Sequence, residues 1–419
     1  MGNHENPAAP PPSARSEWPA ALEAALAERK EARLFRELRR IDATNGPEIT
    51  AADTDGGASR TLVNFCSNNY LGLADHPEVI AAAQEATGRF GAGSGASRLV
   101  SGSLAPHQQL EAALAAFKGT EAALLFPTGY MANLAVLTTF AGEGDLIVSD
   151  KLNHASLLDA ARFSGAQHRT FPHRHYERAR ELLARPTPAE GGRRFIVTDS
   201  VFSMDGDVAN LPALCAVAEE TGALVILDEA HATGVLGPRG AGLAEAQGVE
   251  SRVALTVGTL SKALGSLGGF VAGPRAAIDT LINSARSFIY TTALPAACSA
   301  AALAALQIIQ RESHAGPDGG RRGRVMRLAK HVRQSLESAG YTCGDSETPI
   351  VPVILGDAAR TLEASTHLRQ QGLFVSAIRP PTVPRNSARL RISLMASHTD
   401  AHVEQLVHAL RTLPADLRR

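Results

Sequence analysis

A chain of 419 residues, 44% hydrophobic and 20% charged, is long enough to bury a large core and to form two domains. Its formal net charge of -1 produces no whole-molecule field that would gather nucleic acid or an anionic membrane, so any anion site must be local. The four cysteines, Cys66, Cys215, Cys298 and Cys343, are far apart, with no CxxC pair and no histidine cluster at metal-ligand spacing, which predicts reduced thiols and no metal centre.

Residues 1–17 (MGNHENPAAPPPSARSE) are rich in Pro and Ala without apolar periodicity and are expected to form a disordered tail. The run WPAALEAALAERKEARLFRELRR at 18–40 carries apolar residues at helical spacing and abundant Ala, Leu, Glu and Arg, which predicts one amphipathic helix. A hairpin-like region follows, with a turn-prone cluster at 53–57 and a strand at 62–66. No stretch reaches the roughly 18 consecutive apolar residues needed to cross a bilayer, and the N-terminus lacks the basic-then-apolar order of a secretory signal. A cytoplasmic location is the default expectation.

From about residue 70 to 290, short β-branched runs alternate with helical patterns: AALLF, DLIVS, RFIVTD, ALVILD and ALTV. That alternation predicts β-α units feeding a mostly parallel sheet, whose ligands sit beyond the carboxyl ends of the strands. After Leu294 an Ala-rich helix leads through a Gly-rich loop at 315–323 into a second helix. The strand-like runs IVPVIL and ARLRISL flank a helix at 359–371, and a last helix covers 399–412. The expected class is α/β: an N-terminal helix and hairpin segment at 18–60, a large domain at 61–294 and a smaller α+β domain at 295–419.

Several polar clusters fall at or just after the strand ends. In TVGTLSKALGSLGGFVAG, Lys262 follows a strand and is surrounded by Thr259, Ser261 and glycines. A lysine that forms a Schiff base must be unprotonated and near a phosphate, which small hydroxyl residues can satisfy; taken alone, the segment fits a solvated loop lysine better. ALVILDEAHATGVLG ends a hydrophobic strand in Asp228, with His231 beyond it. A buried strand-end aspartate is costly unless paired, and a protonated pyridine nitrogen would pair with it, keeping the ring an electron acceptor. His231 could then donate to the ring's phenolic oxygen. The plainer alternative makes Asp228 a helix N-cap and His231 a satisfied core residue.

PTGYMANLAV sets Gly129 and Tyr130 where a strand passes into a helix, a place where free backbone N–H groups can cradle a phosphate. SDKLNHASL presents His154 just past a strand, either to stack on a ring or merely as a capping or core histidine. TDSVFSMDGD adds Ser203 to the same pocket.

Together with NFCSNNYLGL, GSGASRLVSG, NHASLLDAAR and FSMDGDVANL, these segments in this order resemble the α-oxoamine synthase family of fold-type I PLP-dependent transferases, over nearly the whole chain after the tail. The resemblance implies pyridoxal 5′-phosphate (PLP) as cofactor, bound to Lys262, which then acts as acid and base at the substrate Cα. It implies Asp228 on the pyridine nitrogen, His231 on the phenolic oxygen, His154 stacked on the ring, Ser203 against it, and Gly129, Tyr130 and Thr259 at the phosphate or the cofactor's edge. Family members are homodimers with active sites at the subunit interface, so Thr291 and Thr292 are expected to reach the partner's phosphate.

The family condenses an amino acid with an acyl thioester and releases carbon dioxide. The segment AIRPPTVPRNSARLRISLMASH resembles the branch that joins L-alanine to a pimeloyl thioester, on CoA or acyl carrier protein, in biotin synthesis. On that likeness Arg379 is expected to clamp the amino-acid carboxylate beside Thr382, in preference to Arg391, which lies within a strand pattern. Arg36, on the N-terminal helix, and Asn68 are expected to contact substrate. The alternatives are the branch that uses glycine and acetyl-CoA, and a non-catalytic subunit of this fold; the second would be expected to lack Lys262 or Asp228.

Overall fold

The computed structural model describes residues 14–43, 46–52, 59–316 and 318–418. The first helix, Ala14–Glu31, begins inside the expected tail and stops well short of residue 40. Its apolar positions explain the early stop: Trp18, Leu22 and Leu26 are 66%, 44% and 45% exposed, so no packed face rewards propagation. Arg33 then turns left-handed (φ 55), and the Leu34 N–H reaches back to the Arg29 carbonyl at 2.8 Å. Arg36 therefore lies on an irregular segment and not on a helix, which corrects the expectation from periodicity. The rest of the expected tail and the cluster at 53–57 lie outside the described residues.

The strands, in chain order, are β1 Ile41–Ala43, β2 Glu48–Ala51, β3 Arg60–Asn64, β4 Ala122–Phe126, β5 Leu146–Asp150, β6 Gln167–Phe171 and β7 Arg194–Asp199. They continue as β8 Ala223–Asp228, β9 Leu255–Thr259, β10 Gly269–Gly273, β11 Ile350–Gly356, β12 Leu373–Phe374, β13 Ser376–Ile378 and β14 Ala388–Ser393. Seven form the central sheet, in the order β4-β10-β9-β8-β7-β5-β6, and all run parallel except β10, which is antiparallel to both its neighbours.

Helices cover both faces of this sheet, so β4, β5, β9 and β10 are buried at every position. Successive side chains enter opposite cores: Ile147, Val197, Ile226 and Val257 pack on one face, and Val148, Ile196, Val225 and Leu227 on the other. The motif reading missed β6 and β10. The first is an edge strand whose polar, largely exposed QHRTF carries no apolar signal, and the second opens and closes on glycine.

A second, three-stranded sheet, β11-β14-β13, is wholly antiparallel and packs with the helices Gly320–Glu337, Ala358–Gln370 and Asp400–Arg411. The N-terminal hairpin β1-β2 continues through β3 to β12, so one four-stranded sheet ties the start of the chain to its C-terminal part. The connection after β3 is clamped between the two halves. Phe65 O accepts from Ser393 N at 2.8 Å and Tyr70 O from Ala396 N at 2.8 Å. This clamp fixes the segment that carries Asn68 and Tyr70.

Candidate active site

Four strands of the central sheet, β5, β7, β8 and β9, end in a polar residue. β8 ends at Asp228, which is 5% exposed, and β7 ends at Asp199, its register partner. Asp228 Oδ1 accepts from Ala230 N at 2.8 Å and Oδ2 from Asn133 Nδ2 at 2.7 Å. Asn133 lies on the helix Gly129–Phe140, itself capped by Thr128, whose hydroxyl accepts from Met131 N. Asn133 Nδ2 also reaches Ser156 Oγ at 2.9 Å, while its buried Oδ1 has no partner. Asp199 Oδ2 accepts from the His154 N–H at 2.6 Å. Burial, and then the adjacent Asp228 charge, push the Asp199 carboxyl well above the usual carboxylate range.

Beyond β9 the chain makes a cross-tied turn: Thr259 Oγ1 donates to Gly268 O at 2.8 Å, and Ser266 N to Leu260 O at 2.9 Å. Lys262 projects from it to place Nζ 2.9 Å from His231 Nε2. Burial brings the Lys262 ammonium down to about 8, against the opposing pull of Asp228 and Asp199 and with help from the Arg391 charge. His231 is held well below its ordinary value, first by burial and then by the Lys262 and Arg391 charges. Its Nδ1 is 2.6 Å from the Tyr70 hydroxyl.

His154 caps the helix Ala155–Phe163 at the end of β5, with Ser156 Oγ 2.7 Å from its Nδ1. Burial of the ring lowers its pKa, although the residue as a whole is solvent-exposed. Gly129 and Tyr130 are the first two residues of their helix, where backbone N–H groups have no partner within the helix. The approach of β10 to this turn depends on glycine: a Cβ on Gly269 would stand 2.5 Å from Thr128 O and 2.6 Å from Gly129 N. Thr259 closes the other side, 3.5 Å from where a Gly129 Cβ would point. The Tyr130 hydroxyl itself turns outward to Asp159 at 2.5 Å.

Asn68 Oδ1 lies 3.2 Å from both the Tyr70 hydroxyl and Arg391 Nη2. Arg391 is 6% exposed, and its other nitrogens donate to Ser203 O at 2.5 Å and Ser393 Oγ at 2.7 Å. The structure thus places Arg391 beside the Lys262 cluster, while Arg379, the residue expected to clamp the amino-acid carboxylate, lies outside it. Alternation along β14 turns Arg389 and Arg391 to one side, toward the 203–205 loop, where Arg389 pairs with Asp205. Ser203 joins the cluster through its backbone carbonyl.

Arg379 lies instead on an outer groove of about 760 Å³ lined by Arg33, Arg36, Arg39, Phe374 and Thr382. Arg36 Nη2 donates to Thr382 Oγ1 at 3.2 Å, and Arg379 donates to Arg33 O. Burial and the Arg36 charge lower the pKa of Arg379. Cys66, whose thiol donates to Phe374 O at 3.2 Å, feels both Arg391 and Arg39. Thr291 and Thr292 follow the 72% exposed Tyr290 and make no hydrogen bond to the Lys262 cluster among the described residues.

Motif reading did not single out Tyr70, Asn133 and Asp199. Asp199 carried the signal that found Asp228, an acid closing a hydrophobic strand, and Asn133 sits one helical turn after Gly129. Tyr70 carries no local signal, because its partner is 161 positions away.

The model for "Aminotransferase class I and II" matches residues 60–410. The 8-amino-7-oxononanoate synthase of Ectopseudomonas mendocina is 47% identical over 390 residues, 93% of this chain and 96% of that protein. The enzyme of the same name from Geotalea daltonii is 49% identical over 377 residues, 90% of this chain and 93% of that one. Among solved structures, serine palmitoyltransferase from Sphingomonas wittichii superposes with a TM-score of 0.85 at 33% identity, covering 95% of this chain and 97% of that one. The 8-amino-7-oxononanoate synthase of Francisella tularensis gives a TM-score of 0.71 at 27% identity over 84% of this chain and 97% of that one.

Proposed function

The chain belongs to the class I and II aminotransferase family, among its 8-amino-7-oxononanoate synthases, and we propose that it joins L-alanine to a pimeloyl thioester with loss of carbon dioxide. It is a PLP-dependent acyltransferase of the fold-type I architecture. The observation that carries the reading is the cluster of Lys262, His231 and Asp228, with Arg391 at its wall and the arginine-lined groove outside.

The residues present fit PLP. Gly129 and Tyr130 N–H groups and Thr259 would hold the phosphate, where Gly269 leaves the room a Cβ would fill. Asp228, held rigid by Asn133 and Ala230, would take the pyridine nitrogen, and Lys262 would carry the carbonyl carbon. When bound, the cofactor supplies an electron sink for negative charge at the substrate Cα. Lys262, with its pKa brought to about 8, holds enough free amine near neutral pH to remove and return the Cα proton. Arg391 holds the amino-acid carboxylate until it leaves as carbon dioxide, with Asn68 steadying the guanidinium. His154, held at the end of β5 by Asp199 and Ser156, would lie against the ring. In the outer groove Arg36 and Thr382, with Arg379, take the acyl chain's distal polar end or the carrier's phosphates.

The exposure of Tyr290 and Thr292 supports a homodimer in which Thr291 and Thr292 complete the partner's site. Among the described residues no helix is long and apolar enough to cross a membrane. We assign 61–294 to the cofactor-binding domain and 295–419 to the small domain.

The test pairs alanine or glycine with pimeloyl-CoA, pimeloyl-acyl carrier protein or acetyl-CoA and measures thiol release. Alanine with a pimeloyl donor should turn over fastest. Turnover confined to glycine and acetyl-CoA would overturn the substrate assignment.

A further inference from the structure

Lys262 can act as a base only when uncharged, and the side chain nearest its Nζ is an imidazole whose hydrogen can sit on either nitrogen. His231 is 7% exposed; its ring nitrogens contact Tyr70 and Lys262, and the charges that act on it among the described residues are those of Lys262, Arg391 and His154. Burial first, and then those charges, disfavour its protonated form, and the neutral ring carries one N–H. If that hydrogen is on Nδ1, the Nε2 lone pair faces Lys262 and accepts from an ammonium. If it is on Nε2, the ring donates to Lys262, and only a neutral amine has a lone pair to receive it.

The Tyr70 hydroxyl decides between these states. It is 1% exposed and has one hydrogen to place, on His231 Nδ1 at 2.6 Å or on Asn68 Oδ1 at 3.2 Å. Hydroxyl donors sit at about 2.5–3.0 Å from their acceptors and N–H donors at about 2.7–3.2 Å. The 2.6 Å contact is the shorter of the hydroxyl's two and lies below the N–H donor range, which favours the hydroxyl donating to Nδ1 over its longer bond to Asn68 Oδ1. Arg391 Nη2 meanwhile donates to the same Asn68 oxygen at 3.2 Å, within the N–H range.

We propose that Tyr70 is a positioning residue that holds His231 with its hydrogen on Nε2, so that the imidazole donates to Lys262 and disfavours its charged form. The inference rests on the reading of Lys262 as the reacting amine. The remaining charges that face Lys262 are Asp228 and Asp199, which favour the ammonium, and Arg391, which opposes it. With two carboxylates favouring the cation, a donor at Nε2 has a definite task.

The test uses the full chain with and without PLP. Nitrogen-15 NMR of labelled histidines should show His231 protonated at Nε2 in the wild type. Tyr70→Phe should lose that preference and move the pH midpoint for reaction of Lys262 with an amine reagent upward by about one unit, a tenfold change in proton affinity. Its kcat should fall at neutral pH and recover on raising the pH, with KM for the amino acid little changed. Wild-type His231 protonated at Nδ1 would overturn the proposal, even if Tyr70→Phe failed to fold. So would a folded Tyr70→Phe with tautomer and midpoint unmoved. These readouts need no acyl donor, so they stand apart from the outcome of the substrate assay.

Discussion

Arg391 Nη2 donates to Asn68 Oδ1 at 3.2 Å, joining a buried strand of the small sheet to the loop after β3 across 323 positions of chain. With Nε and Nη1 committed to Ser203 O and Ser393 Oγ, the guanidinium is a fixed fork at the wall of the Lys262 cluster. Arg391→Lys keeps the charge and loses the fork. It should raise the KM for the amino acid about 10- to 100-fold, the range of about 1.5–3 kcal/mol expected for charged hydrogen bonds. Arg379→Ala should instead raise the thioester KM, and initial rates with each substrate varied in turn separate the two.

Lys262 is costly to the fold when charged. Its folded pKa of about 8 lies below the ordinary 10.5, so the unfolded chain binds more protons between those values and stability rises with pH across that window. Below pH 8 the penalty is fully present. With the cofactor removed, Lys262→Met, which keeps the buried stem, should be more stable than the wild type by about 1–3 kcal/mol at pH 7 and should lose all turnover. Denaturant titrations at pH 7 and pH 10 would check this, the gap closing at the higher pH.

The opposite sign holds at His173, whose ring bridges two buried carboxylates, Asp150 at 3.0 Å and Asp207 at 2.7 Å, and packs edge-on against Phe202. Those partners outweigh burial and raise its pKa from 6.5 to about 9. Its contribution is fully present below pH 6.5 and lost as pH rises through about 9. His173→Gln should cost about 2–3 kcal/mol at pH 6 and little at pH 10, measured by denaturant unfolding.

Two glycine substitutions should part in opposite directions. Gly269→Ala drives a Cβ against Thr128 O and Gly129 N at the helix start and should weaken PLP binding at least tenfold by equilibrium titration. Gly88→Ala, on an exposed helical site with nothing within 4 Å, should add about 0.5–1 kcal/mol of stability and leave PLP affinity unchanged.

The central strands and the residues at their ends are legible in the local pattern of the chain. Burial on both faces of a parallel sheet demands unbroken apolar runs, so β4, β5, β7, β8 and β9 were legible, and an acid closing such a run marks the ligand side. Lys262, Asp228, His231, His154 and Gly129 could be singled out this way because each stands at or just past a strand end, Asp228 and His231 both after β8. The antiparallel β10 was not legible, since its end glycines answer to distant neighbours, Gly269 to the Thr128–Gly129 turn and Gly273 to Leu255.

Tertiary structure alone decided which side chains meet across the pocket. Periodicity carried the first helix on to residue 40, but with no surface to pack on it ends at Glu31 and delivers Arg36 to the outer groove. Arg391 reads as one more strand residue until the small sheet docks on the large one, and Tyr70 as a motif tyrosine until the same docking sets it against His231. Local patterns record how each segment buries itself. The distances that separate a base from a bystander are set by segments hundreds of residues apart, held where close packing leaves them one arrangement.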